Sequence, residues 1–206
     1  MSSTGMKRGE ALADASVLAG DSVLAGASVL KLVGHLRSGG DEQKESAAAL
    51  LGRLATNSCY NKAVIAMAGG IPPLIALARG GTDGQKLTAT STLAILAAGM
   101  SETSADNRAA IATAGGIPPL VALVRSGTKW QREYAAAALM SLACSADNQA
   151  AIAKAGGIPP LVALARCGQM EAAAAGAVRA LWNLSFNKQN LAAMKGLGYS
   201  VSESHL

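Results

Sequence analysis

Along residues 129–144 the apolar positions Ala135, Ala138, Leu139 and Leu142 return at spacings of three, one and three, the period that gathers side chains on one face of a helix. The same register holds at Ala47, Leu50, Leu51 and Leu54, at Ala89, Thr92, Leu93 and Leu96, and at Ala177, Ala180, Leu181 and Leu184. Between these long helices lie shorter apolar runs broken by glycine and then proline. Ala68-Gly69-Gly70-Ile71-Pro72-Pro73-Leu74 returns as Ala114-Gly115-Gly116-Ile117-Pro118-Pro119-Leu120, and again as Ala155-Gly156-Gly157-Ile158-Pro159-Pro160-Leu161, at intervals of 46 and 41 residues. Glycine accepts the left-handed backbone that ends a helix, and proline is tolerated in a first turn, where its missing N–H has no intrahelical partner. Each copy therefore punctuates the end of one helix and the start of the next.

The pattern predicts three helices per period. In the best-formed copy the first covers residues 148–155, with Asp147 or Asn148 as N-cap. The second opens at Pro159-Pro160, runs to Arg166 and stops at Cys167-Gly168; the third is the long helix at 129–144 of the preceding unit. Weaker copies flank the strong ones. Val29-Leu30-Lys31-Leu32 leads into Arg37-Ser38-Gly39, matching Arg125-Ser126-Gly127, and Lys195-Gly196-Leu197 stands where Gly-Gly-Ile is expected. The five extra residues of the second period fall around 99–103, between helices, where an insertion is cheap. This divides the chain into an irregular N-terminal segment or partial cap (1–28), an array (29–197) with units near 29–70, 71–116, 117–157 and 158–196, and a polar tail (198–206).

The N-x-A-x-I-A-x-A-G-G-I-P-P-L segment and the A-x-x-A-L-x-x-L helix after it, repeated in register over residues 27–197, resemble the armadillo repeat family. The resemblance implies an all-α, right-handed α-solenoid of about four three-helix units. It also implies that the third helices line a concave groove for extended peptides or partner domains.

Opposite the core stripe, the third helices present columns of side chains that are candidates for that groove. They are Trp130, Tyr134, Ala137 and Ser141 in the third unit, Glu42, Ser46, Ala49 and Arg53 in the first, and Gly84, Thr88, Ser91 and Ile95 in the second. Gly176, Arg179 and Asn183 follow in the fourth. The binding set is expected to comprise Trp130, Tyr134, Ser141, Arg53, Ile95, Arg179 and Asn183, with the two aromatics as anchors. In the nuclear-import receptors of the family a Trp and an Asn four residues apart repeat along the groove. Here the Trp positions hold Ala49, Ser91, Ala137 and Arg179, and the Asn positions hold Arg53, Ile95, Ser141 and Asn183. One match does not point to basic import signals; Arg53 and Arg179 suit an acidic or mixed-charge ligand.

Composition sharpens this without redirecting it. Half of the residues are hydrophobic but only 3% are aromatic, which suits closely stacked helices. The net charge of +5 is spread over loops and helix ends without aromatic–basic alternation, so nucleic acid is not the expected partner. The uncharged stretches 63–78 and 109–124 are shorter than a membrane span and contain Gly-Gly and Pro-Pro, so membrane insertion is not expected. Cys59, Cys144 and Cys167 have neither metal nor redox spacing and fit a reducing cytoplasmic or nuclear setting. His35 and His205 have no carboxylate or cysteine at ligand spacing, and the Gly-Gly pairs lack the lysine of a phosphate loop. No catalytic, cofactor or metal site is expected. The functional expectation is a non-catalytic protein-binding scaffold. The alternatives are the substrate-recruiting part of a larger assembly such as a ubiquitin ligase and, more remotely, RNA binding. Leu191 and Met194 are expected near an open C-terminal repeat end, where the chain either belongs to a longer array, the preferred reading, or self-associates.

Overall fold

The computed structural model describes residues 22–56, 58–167 and 172–201, with side chains from residue 26 onward. Residues 1–21, the end of the tail (202–206) and His205 within it lie outside the described residues. Among the described residues there are twelve helices and no strand. They are α1 (Ser22–Ser38), α2 (Asp41–Ala55), α3 (Cys59–Met67), α4 (Ile71–Gly80), α5 (Asp83–Ala97), α6 (Glu102–Thr113), α7 (Ile117–Ser126), α8 (Lys129–Leu142), α9 (Ala146–Lys154), α10 (Ile158–Arg166), α11 (Ala172–Ser185) and α12 (Lys188–Gly196). The first helices of the units are α3, α6, α9 and α12, the second α1, α4, α7 and α10, and the third α2, α5, α8 and α11. The third helices lie side by side, α2 on α5, α5 on α8 and α8 on α11.

Each first helix turns into its second at the Gly-Gly corner, through 82° in both α3–α4 and α6–α7. The corner glycines Gly69, Gly115 and Gly156 have φ of 72°, 75° and 72°, a region in which any Cβ is strained. The second glycine of each pair is packed instead: a Cβ on Gly157 would fall 2.7 Å from Ile152 Cγ2. A third device ties the corners at Gly69 and Gly115 to the unit before them. The arginine ending the second helix reaches forward, Arg37 Nη2 donating to the Ala68 and Gly69 carbonyls at 3.4 and 3.3 Å and Arg79 Nη2 to Gly115 at 3.5 Å.

The third helices α5 and α8 start on capping boxes. Thr82 and Thr128 accept from the backbone N–H of Gln85 and Gln131, whose side-chain oxygens accept from the threonine N–H groups. Both glutamines then use Nε2 across the unit boundary, Gln85 to the Asp41 carbonyl at 3.1 Å and Gln131 to that of Asp83 at 3.0 Å. On α5 two threonines face opposite neighbours. Thr92 donates to the Ala48 carbonyl of α2 at 2.8 Å, while Thr90, which holds the place of Ala48 and Ala136, is buried with no partner for its hydroxyl.

Several expectations are corrected. Residues 22–28 are helical rather than irregular, because α1 extends back to Ser22 and the lone Gly26 costs a helix only about 1 kcal/mol. The N-cap of α9 is Ser145 rather than Asp147 or Asn148. Asn148 is buried and donates to the Leu142 carbonyl at 3.1 Å, as Asn61 does to Leu54 and Asn107 to Leu96. In α3, α6 and α9 the asparagine of the repeat thus fastens the first helix to the end of the preceding third helix, whereas Asn190 of α12 donates to the Gln149 carbonyl of α9 at 3.2 Å. The last corner is at Gly198 (φ 68°), 42 residues after Gly156, while Gly196 stays inside α12. The chain around that corner is not a plain polar tail: Tyr199 and Val201 pack on the core, and Met194 is fully buried rather than open. The second-period insertion is partly absorbed as helix, since α6 has 12 residues where α3 and α9 have 9. Leu50 and Leu54 are only half-buried, unlike their counterparts, because no third helix precedes α2 among the described residues.

Candidate binding face of the third helices

Four parallel third helices give a face whose lateral neighbours come from equivalent positions of successive units. In the row 42, 84, 130 and 172, Trp130 of α8 stands between Gly84 on α5 and Ala172 on α11. In the next row Tyr134 stands between Thr88 and Gly176. The glycines let the helices close up: a Cβ on Gly176 would sit 3.3 Å from Ala136 Cβ. The aromatics consequently rise above small neighbours. Trp130 is 54% exposed and Tyr134 is half-buried, which is the geometry of an apolar body with a polar tip available to a partner.

The remaining expected site residues divide according to what their neighbours already use. Arg179 on α11 and Arg53 on α2 are exposed, so their guanidinium groups are open to an anion. The row 53, 95, 141 and 183 otherwise serves the repeat boundary. Ser141 is 7% exposed and its hydroxyl donates to the Ala137 carbonyl at 3.2 Å. Ile95 is half-buried over α2, its Cδ1 3.7 Å from where a Cβ of Gly52 would stand. Asn183 Nδ2 donates to the Met140 carbonyl of α8 at 2.9 Å and reaches Cys144 Sγ at 3.6 Å. Spacing along one helix identifies the face of these residues but not how closely the neighbouring helix approaches. The structure therefore brings Trp130, Tyr134 and Arg179 together on adjacent helices, and places Arg53 two helices away at the far edge.

Two features escaped the sequence reading. Trp182 and Phe186 form a T-shaped pair, centroids 5.6 Å apart and planes at 81°, at the end of α11. The other is the forward-reaching arginine, whose signal was its recurrence before each Gly at the end of a second helix. Among the described residues no group of three or more His, Cys, Asp or Glu could hold a metal, and no single helix is long and apolar enough to cross a membrane.

Residues 145–186, which run from the α9 cap to the end of α11, match the family described as Armadillo/beta-catenin-like repeat. Among solved structures, an engineered protein superposes with a TM-score of 0.82 at 27% identity, over 96% of this chain and 49% of its own. This chain thus spans about half the length of that protein. A computationally designed armadillo repeat protein for modular peptide recognition has a TM-score of 0.75 at 22% identity, covering 86% of this chain and 77% of its own. A designed armadillo repeat protein in complex with the peptide (KR)4 has a TM-score of 0.76 at 18% identity, covering 99% of this chain and 91% of its own; at these identities the last two show the fold alone. No curated protein matches the sequence. With three helices per unit, Gly-Gly corners and stacked third helices, the chain has the fold of an armadillo repeat array, and residues 145–186 match that repeat in sequence as well.

Proposed function

We propose that this chain is a non-catalytic scaffold that holds an extended peptide segment of a protein partner across α8 and α11. Trp130 and Tyr134 anchor the segment and Arg179 meets a carboxylate on it. The observation that carries the reading is Trp130, more than half exposed on the third-helix face between Gly84 and Ala172. A large aromatic standing above small residues supplies contact area at little entropic cost, the usual character of an interface anchor. The fold supports the reading too, since two designed armadillo proteins that it resembles recognise peptides, one of them (KR)4. With Arg179 and Arg53 exposed, the ligand here is acidic or of mixed charge rather than uniformly basic. Three free, exposed cysteines favour a reducing setting, cytoplasm or nucleus.

The test is selection from a displayed random-peptide library with the wild-type chain, followed by affinities for the selected peptides. Selected peptides should carry Asp or Glu, bind Trp130→Ala/Tyr134→Ala about tenfold or more weakly, and lose affinity for Arg179→Glu. Binders whose affinity is indifferent to both variants would sink the reading.

A further inference from the structure

The guanidinium groups that reach the corners also line up. Arg37 lies at the corner carbonyls of Ala68 and Gly69, Arg79 at that of Gly115, and Arg166 at those of Leu197 and Gly198. Arg125 holds the same place at the third corner, its Nη2 3.8 Å from where a Cβ of Gly156 would stand. Each head thus sits at the corner of the following unit. The four form a row along one edge of the solenoid, spaced like its stacked helices at about 8–10 Å. Lys154 and Lys195, in the last turns of α9 and α12, add a second cation at the last two corners. All six side chains are exposed. A guanidinium carries five N–H donors, and the corner bonds engage only Nη2, so the others stay open to an anion.

Acidic residues are kept away from this edge. Stretches 22–40, 58–82, 107–128, 148–168 and 186–201, which supply the corners and the second helices, contain no Asp or Glu. The described carboxylates lie instead in the first halves of the third helices and of α6 and α9. Asp41 and Asp83 follow Arg37 and Arg79 by four residues, but their Oδ1 atoms accept from Gln85 and Gln131 across the unit boundary, at 3.0 and 3.4 Å. Two apolar side chains stand out beside the cations. Met67, two residues before Gly69, is 78% exposed, and Leu197, whose carbonyl Arg166 holds, is 41% exposed. Tyr199, just beyond the last corner, packs on the core, so its ring is no platform on which a base could stack.

We propose that this edge docks on an anionic phospholipid membrane, the arginine row meeting headgroup phosphates and carboxylates while Met67 and Leu197 touch the acyl boundary. Cations in one line with no acid among them suit a flat, negatively charged surface, where each Lys or Arg strengthens binding about fivefold. Exposed apolar side chains beside them gain from a lipid boundary and nothing from a phosphate backbone. The absence of a stacking platform separates the edge from a groove for single-stranded nucleic acid. The surface goes beyond the peptide site and shares no residue with Trp130, Tyr134 and Arg179. A chain held this way leaves its third-helix face to the peptide.

Co-sedimentation of the full chain with vesicles tests this, with helicity checked by circular dichroism. The chain should bind vesicles of phosphatidylcholine containing about one-third phosphatidylserine, ignore phosphatidylcholine alone, and let go as salt rises. Lys154→Gln/Lys195→Gln, which touches none of the corner bonds, should bind the anionic vesicles about 25-fold more weakly at an unchanged melting temperature. Arg166→Lys should bind them as wild type does although it melts earlier, because the membrane reads charge and the corner reads the guanidinium fork. Trp130→Ala/Tyr134→Ala should match wild type, which separates this edge from the peptide site. No binding to the anionic vesicles, equal binding to phosphatidylcholine alone, indifference to the lysine pair, or loss with the aromatic pair would overturn the proposal. Binding of a mixed-sequence RNA but not of the anionic vesicles would give the edge to nucleic acid and overturn it as well.

Discussion

Arg166 donates from Nη2 to the carbonyl of Leu197 at 2.8 Å, reaching 31 residues along the chain to the corner of the following unit. A second bond, to the Gly198 carbonyl at 3.0 Å, makes this the tightest of the corner contacts made by Arg37, Arg79 and Arg166. The last corner has Leu197 and Gly198 where other units have Ala-Gly, and it is held as firmly as any.

Arg166→Ala should lower stability by about 1 kcal/mol, the usual net worth of a hydrogen bond to an exposed charged donor. Arg79→Ala, which loses a 3.5 Å bond, should cost less. Urea denaturation of the two variants gives the comparison. Equal midpoint shifts would mean that bond geometry does not grade the contact.

Between α2 and α5, close approach depends on Gly52. A Cβ there would fall 2.6 Å from Thr92 Oγ1. Gly52→Ala should therefore destabilise by about 1–3 kcal/mol through overpacking. Thr92→Ala should cost about 1 kcal/mol, through the lost bond to Ala48. In the double variant the alanine fits, so the two penalties should sum to clearly more than the combined loss. Strict additivity in thermal denaturation would show that α5 moves away rather than clashing.

Tyr199 packs on the core beyond the last corner, and burial raises its phenol above the ordinary value of 10.0, with the Arg166 guanidinium pulling the other way. The raised value means that the folded state keeps its proton while the unfolded state releases it. This contribution is thus complete below pH 10 and is lost as pH rises through the folded-state value. Melting temperatures of wild type and Tyr199→Phe should run parallel near neutrality, with wild type falling faster above pH 10. Parallel curves throughout would place the phenol in water.

The helical repeat was legible because two periodicities coincide in it, the helical spacing of Ala135, Ala138, Leu139 and Leu142 and the return of Gly-Gly-Ile-Pro-Pro. Where one residue type can do two jobs, sequence did not decide between them. Asn148 looks like a cap because asparagine commonly is one, yet its amide closes the end of α8 while Ser145 takes the cap position. Gly196 looks like the hinge, but only Gly198 has the positive φ that a corner requires. Trp130 and Arg179 are exposed. Ser141 is buried, because burial there depends on how closely a neighbouring third helix approaches, which spacing along a single helix does not carry.

Thr90 has a consequence for how the molecule comes apart. In a stack where each unit touches only its neighbours, a local penalty is not averaged over the whole but weakens one junction. An unpartnered buried hydroxyl costs about 1–3 kcal/mol, and this one lies where α5 meets α8, near the middle of the array. The N-terminal and C-terminal halves are thus expected to part there first, and Thr90→Ala should delay the opening, read as slower hydrogen exchange in α5 and α8.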